Sequence, residues 1–131
     1  MKGLDTPILL AILRDTPPAR ELLRELRGEE LATTEVNLYE LHALAAAGPS
    51  SSRPAKVAAL QRLRRRLTVL PITASAVDEA ARFASLVKAH RPYEPLIWGA
   101  LKAAGCGTWI TTRGHQPPKG LRTLKARVAK V

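Results

Sequence analysis

Short apolar runs, each followed within a few residues by a helix-forming stretch, recur along the chain. "MKGL" precedes "TPILLAILR", "LATT" precedes "EVNLYELHALAA", "TVLPI" precedes "SAVDEAARFASLVKAH", and "TWITT" lies near the C-terminal end. A strand with one wet face alternates apolar and polar residues. Strands that do not alternate are buried on both faces, as in a parallel sheet covered by helices. The pattern predicts an α/β fold, a three-layer sandwich with a small parallel sheet flanked by helices. In such sheets ligands sit outside the carboxyl ends of the strands, so the residues that follow each strand are the ones to inspect.

Capping residues predict the boundaries. Thr6 is expected as N-cap of the first helix, with Pro7 at its first position, where a missing N–H costs nothing. Thr16 and the prolines after it start a second helix that Gly28 stops, and Thr34 caps a third from about 35 to 47, ended by Gly48 and Pro49. "GPSSSRP" is a loop and "AKVAALQRLRRRL" a helix. A further helix is opened by a Ser75 and Asp78 capping pair, another runs from the "RPYEP" turn to Ala104, and a last short strand lies near "LRTL". No internal repeat is evident. With 131 residues, 46% of them apolar, the chain suffices for a single core, so one domain over 1–131 is expected, with a basic C-terminal tail from about 125.

The charge is uneven. Lys and Arg number 21 against 11 acids, for a net charge of +10. Residues 53–66 hold Arg53, Lys56, Arg62, Arg64, Arg65 and Arg66, and residues 113–131 hold Arg113, Lys119, Arg122, Lys125, Arg127 and Lys130, both segments without an acid. They contain 12 of the 21 cations, leaving 9 against 11 acids elsewhere. Two basic segments on a near-neutral body suit a polyanion, because neutralised phosphates supply most non-specific nucleic-acid affinity. A solvated helix face and a basic tail would give the same count. Cys106 is the only cysteine, which rules out an intrachain disulfide and leaves oxygen or imidazole as metal ligands. The longest apolar run, "PILLAIL", is far short of a bilayer span, so a cytoplasmic protein without membrane contact is expected.

Three carboxylates stand out. Asp5 follows the first strand, at the edge where ligands bind, although Asp-Thr-Pro is also an ordinary helix start favoured by the helix dipole. Glu40 lies in a helix that is apolar nearly all round and is therefore expected to be buried. There it needs a metal, a cation or strong hydrogen bonds, unless it reaches water at the helix edge or pairs with an arginine. Glu35, in the first turn of the same helix, is explained as a dipole partner. Glu94 opens the helix "EPLIWGALKAAG", where a glutamate is favourable without further purpose. Three carboxylates at different strand exits and helix starts are also what Mg²⁺ or Mn²⁺ takes, together with water and substrate phosphates.

Taken together, "GLDTPILLAILR", "LATTEVNLYELHALAA", "EPLIWGALKAAG" and "TWITTRG" resemble, in order and spacing over nearly the whole chain, the PIN-domain family and particularly its VapC-like toxin ribonucleases. The resemblance implies a PIN fold whose clustered acids bind Mg²⁺ or Mn²⁺ for the cleavage of RNA. Asp5 matches the family's first acid, Thr6 its neighbouring hydroxyl and Glu40 in "LYEL" its second acid. Glu94 falls where the family usually has an aspartate, and the eleven-residue step to the helix-ending Gly105 is kept. Thr111 matches the family threonine. After "WITT", where an aspartate or asparagine and a further polar group are common, this chain has Arg113 and His115, so the fourth acid is absent. One anion fewer and one cation more weaken the expected hold on a divalent ion, while Arg113 suits a substrate phosphate.

Asp5, Glu40 and Glu94 are therefore the expected catalytic residues and metal ligands, with Thr6 and Thr111 behind them and with Arg113, Arg64, Arg65, Arg66 and Lys119 as nucleic-acid contacts. The expected protein is a metal-dependent endoribonuclease, and the alternative is a PIN-like module that binds nucleic acid with little or no cleavage. RNA, a second copy in a homodimer and a small antitoxin protein are the partners the resemblance implies. His42, His90 and His115 have no zinc spacing, there is no nucleophile motif or glycine-rich phosphate loop, and Trp98 and Trp109 are expected in the core. Tyr93, beside Glu94, borders the site or packs a loop.

Overall fold

The computed structural model describes residues 1–86, 91–112 and 125–131. Five strands, β1 (Lys2–Leu4), β2 (Leu31–Thr34), β3 (Thr68–Leu70), β4 (Thr108–Thr111) and β5 (Lys125–Val128), form one sheet in the order β3-β2-β1-β4-β5. Every pairing is parallel. Among the described residues six helices accompany it: α1 (Thr6–Leu13), α2 (Pro17–Glu25), α3 (Glu35–Ala47), α4 (Arg53–Arg65), α5 (Ala74–Leu86) and α6 (Glu94–Ala103).

Alternation along the strands divides the core between two layers. Leu4 and Ile110 face one side and pack with Ile8, Leu9, Leu22, Leu38, Leu41, Leu60 and Leu63 of α1 to α4. On the other side Trp109 and Ala32 pack with Phe83 of α5 and with Ile97, Trp98 and Leu101 of α6. The sheet is thus covered on both faces, which is why its strands carry no polar alternation. Chain order runs outward from β1 through β2 to β3 and then returns to β4 on the other flank of β1. This reversal makes the carboxyl ends of β1 and β4 the topological switch point.

Several boundaries differ from the sequence expectation. Asp5, not Thr6, is the N-cap of α1: its backbone is extended (φ −75°, ψ 162°) and its Oδ1 accepts the Thr6 N–H at 2.8 Å. Thr6 is not the cap because it already lies inside the helix, turned into the core. In α5 the capping oxygen is Thr73 Oγ1, which accepts the Ala76 N–H at 3.1 Å, while Asp78 pairs instead with Arg82 one turn on, at 3.3 Å. The expected extension of α5 to His90 lies outside the described residues beyond Leu86. A 3-10 turn at Ser50–Ser52 leads directly into α4, which begins at Arg53, two residues earlier than expected, with Pro54 in its first turn.

The last strand lies at 125–128, directly after "LRTL", which itself falls outside the described residues. Residues expected to start a basic tail are therefore the edge strand beside β4. Ala129 N–H also donates to Thr111 O at 2.8 Å, and Arg127 pairs with Glu25. Helix α3 departs from the expectation of a fully buried helix. Val36, Asn37, Leu38, Leu41 and Ala45 are buried, but Tyr39, Ala43, Leu44 and Ala47 are exposed. A helix in an outer layer has one face with no protein above it, whatever residues it carries.

Candidate active site

Asp5 stands at the switch point, between the end of β1 and the start of α1, and is only 3% exposed. Both carboxylate oxygens are held. Oδ1 accepts from Thr6 N (2.8 Å) and from Asn37 Nδ2 (3.2 Å), and Oδ2 accepts from the Thr111 hydroxyl (2.7 Å) at the end of β4. Burial raises the Asp5 pKa above the ordinary carboxylate value; the Thr111 and Thr6 hydrogen bonds and the charge of Arg91 oppose that rise, and the charge of Glu94 adds to it. A buried anion whose surroundings disfavour its charge is a group in need of a cation.

Asn37 ties this aspartate to the second acid. It is completely buried in α3, one turn before Glu40. Its amide nitrogen donates to Asp5 Oδ1 and, at 3.0 Å, to Thr6 Oγ1, while its Oδ1 accepts from the Thr34 hydroxyl at 2.6 Å. The Thr6 hydroxyl in turn donates to Glu40 Oε1 at 3.0 Å. One continuous network thus runs from Thr34 through Asn37 and Thr6 to Glu40, with a branch through Asp5 to Thr111. Sequence reasoning passed over Asn37, although its spacing of three residues from Glu40 places the two on one face of the helix.

Replacing Asn37 with alanine leaves the Thr34 and Thr6 hydroxyls and one buried carboxylate oxygen each short of a partner. The loss of stability is expected to be about 2–4 kcal/mol. Urea unfolding of the metal-free variant beside the wild type measures it, and a change within a few tenths of a kcal/mol would show that the network carries little weight.

Glu40 lies at the edge of α3 with its side chain 22% exposed. This is the helix-edge arrangement with an arginine partner, because Arg91 Nη1 stands 3.8 Å from Glu40 Oε2. Glu94, in the first turn of α6 and 12% exposed at its side chain, accepts from Arg91 Nε at 2.9 Å. Glu40 and Glu94 thus both pair with one guanidinium, and its charge also reaches Asp5. Sequence reasoning missed Arg91 altogether. Glu40, Arg91, Pro92, Tyr93, Glu94 and Ile97 line a cleft of about 220 Å³. Tyr93 borders it and meets Tyr39 of α3 edge to face, with ring centroids 5.6 Å apart.

The donors suit a hard divalent cation: carboxylate oxygens only, one of them on a buried aspartate with lone pairs left over. As arranged, no three Asp, Glu, His or Cys side chains among the described residues stand close enough together to hold an ion. The Arg91 side chain stands between Glu40 and Glu94 and pairs with both. Mg²⁺ is commonly held by one or two carboxylates with waters and phosphates, so the residues present fit the ion in kind.

The expected nucleic-acid contacts fare unevenly. Arg64 donates from both terminal nitrogens to Glu35, at 2.7 Å each, and the pair lowers the pKa of Glu35 and raises that of Arg64. Arg65 turns back to the Gln61 carbonyl at 3.4 Å and Arg66 is the C-cap of α4. Successive residues on a helix point about 100° apart, so this trio does not form one patch. Arg113 and Lys119 lie outside the described residues, as do His90 and His115. Trp98 and Trp109 are buried, as expected, and Cys106 is buried too.

A PIN domain family model matches residues 3–97. No curated protein sequence matches the chain. Among solved structures, VapBC2 from Rickettsia felis bound to a promoter DNA fragment has a chain similar to this one with a TM-score of 0.80 at 14% identity, covering 98% of each chain. The DNA-bound VapBC of Salmonella typhimurium gives a TM-score of 0.73 at 20% identity over 96% of this chain and 98% of that one. FitAcB from Neisseria gonorrhoeae gives 0.74 at 19% identity over 86% and 88%.

Proposed function

This chain belongs to the PIN domain family, and from that premise we propose that it is a metal-dependent endoribonuclease, the toxin half of a toxin–antitoxin pair. The observation that carries the reading is the Asp5 carboxylate, buried at the switch point and joined through Thr6 and Asn37 to Glu40. Asp5, Glu40 and Glu94 would hold Mg²⁺ or Mn²⁺, which when bound would polarise a phosphodiester and lower the pKa of an attacking water. Thr111 and Asn37 fix the Asp5 oxygens in one orientation, and Thr6 does the same for Glu40. The basic segments at 53–66 and 113–131 would attract the RNA strand by phosphate neutralisation.

A small antitoxin protein suits the apolar groove between α1, α3 and α4, where Leu10, Leu13, Leu41, Leu44 and Leu60 are rimmed by Arg14 and Lys56. Similar solved structures include a toxin–antitoxin complex from Klebsiella pneumoniae and a member of the VapBC family of toxin–antitoxin systems from Mycobacterium tuberculosis, which supports such a partner. A homodimer would cover Tyr39, the exposed aromatic residue of α3.

The purified chain is expected to cut single-stranded RNA with Mn²⁺ and to stop in EDTA. Silence with Mn²⁺ present would favour the second reading, a PIN-like module that binds nucleic acid without cutting it. That reading draws on Arg113 in the place of the family's fourth acid and on the pairing of two acids with Arg91.

A further inference from the structure

We propose that Arg91 is a cation built into the active site, which occupies Glu40 and Glu94 in the metal-free protein and must leave them before a divalent ion can bind. This inference rests on the nuclease reading and adds regulation of the same site. Arg91 Nε donates to Glu94 Oε1 at 2.9 Å and Nη1 stands 3.8 Å from Glu40 Oε2, so one planar group spans an acid from α3 and an acid from α6. Arg20 with Asp15, by contrast, is a pair of one exposed base with one exposed acid, at 3.4 Å.

The placement of Arg91 is fixed locally. The Glu94 N–H donates to the Arg91 carbonyl at 3.1 Å, and Pro92 restrains the backbone between them. The guanidinium therefore stays within reach of the cleft, on a long side chain that is 42% exposed. A small divalent ion binds carboxylate oxygens at about 2.0–2.1 Å and brings two charges to them, where the guanidinium brings one at hydrogen-bond distance. The two cations claim the same oxygens, and repulsion between them disfavours both together.

In the metal-free chain Arg91 also does what a metal would do electrostatically. It offsets the mutual repulsion of acids gathered at one sheet edge, and its charge reaches Asp5. Metal binding then becomes an exchange of one cation for another. Its apparent affinity is weaker than the three acids alone would give, so the nuclease loads only when free divalent ion is plentiful.

Mn²⁺ binding is measured by electron paramagnetic resonance on the metal-free full chain at constant ionic strength, for wild type, Arg91→Ala, Arg91→Gln and, as a control of net charge, Arg20→Gln. Both Arg91 variants are expected to bind Mn²⁺ at least about tenfold more tightly than wild type, with Arg20→Gln unchanged. Equal affinity for wild type and the two Arg91 variants overturns the inference and leaves the nuclease reading standing. Tightening of the same size in Arg20→Gln also overturns it, because net charge would then account for the effect. Absence of Mn²⁺ binding in all four proteins overturns the nuclease reading and the inference with it.

Discussion

Asp5→Asn is expected to lower RNA cleavage by at least about 100-fold and, in the same protein, to raise the melting temperature of the metal-free chain. The two effects share one cause. Asparagine fits the cradle without rearrangement: its Oδ1 can accept from Thr6 N and Asn37 Nδ2 as Asp5 Oδ1 does, and its Nδ2 can donate to a Thr111 hydroxyl rotated to accept. What is lost is the negative charge, which a metal needs and which destabilises a metal-free core.

Burial raises the folded-state pKa of Asp5, so the folded chain holds this proton more tightly than the unfolded chain does. The contribution of Asp5 to stability is fully present below the unfolded carboxylate pKa and is lost as pH rises through the raised folded value. At neutral pH the wild type carries the penalty and Asp5→Asn does not. For a domain of this size each kcal/mol moves the melting temperature by roughly 3–5 °C, so a rise of a few degrees is expected at pH 7, shrinking as pH falls below the carboxylate range. Calorimetry at several pH values reads it. A variant that loses activity and also melts lower at pH 7 would mean that the charge is stabilised in the apo protein and is not waiting for a cation.

Gly99→Ala is expected to cost far more stability than an added methyl group at Gly48. Gly99 lies inside α6 where that helix crosses α5. An added Cβ would collide with the Ala76 carbonyl oxygen and stand 2.9 Å from the Ala80 nitrogen, both backbone atoms of α5. Backbone cannot yield as a side chain can, so the helices must separate. That separation opens the layer formed by Phe83, Trp98 and Leu101. The expected cost is about 3 kcal/mol, at the upper end for overpacking, or a midpoint lower by roughly 10 °C. Gly48→Ala is the control, since the atom nearest its added Cβ is Lys56 Nζ, the free end of a flexible chain, at 2.9 Å. A Gly99→Ala protein that melts with the Gly48→Ala variant would refute the close crossing. Because α6 carries Glu94 in its first turn, the Gly99 variant should also blunt metal binding.

The sheet and its two layers were legible because local signals agreed with one another: apolar runs of strand length, helix caps, and glycine or proline stops. Where two local signals competed, the sequence was ambiguous. Thr73 and Ser75 flank Ala74, the first residue of α5, and only the tertiary path of β3 into α5 selects Thr73 as the cap. Lys125 to Val128 alternates charged and apolar residues, as edge strands do, yet its charges also fit a tail. Asp5 and Glu94 stood out by their places at a strand exit and a helix start, and Glu40 by its place in an apolar helix. Arg91 was not, because its three-residue spacing from Glu94 shows a local pair and nothing in the sequence reveals that Glu40 lies on its other side. The exposure of α3 escapes the sequence for a related reason: composition alone does not say which face of a helix another layer covers.

Anomalous diffraction from a crystal of the full chain soaked in Mn²⁺ decides whether Asp5, Glu40 and Glu94 form a divalent-metal site. The expected map has one anomalous peak bounded by the three carboxylates, with the Arg91 guanidinium withdrawn from Glu40 and Glu94. A crystal that takes up Mn²⁺ elsewhere, or none at millimolar concentration, with Arg91 still bridging the two glutamates, would contradict the metal site.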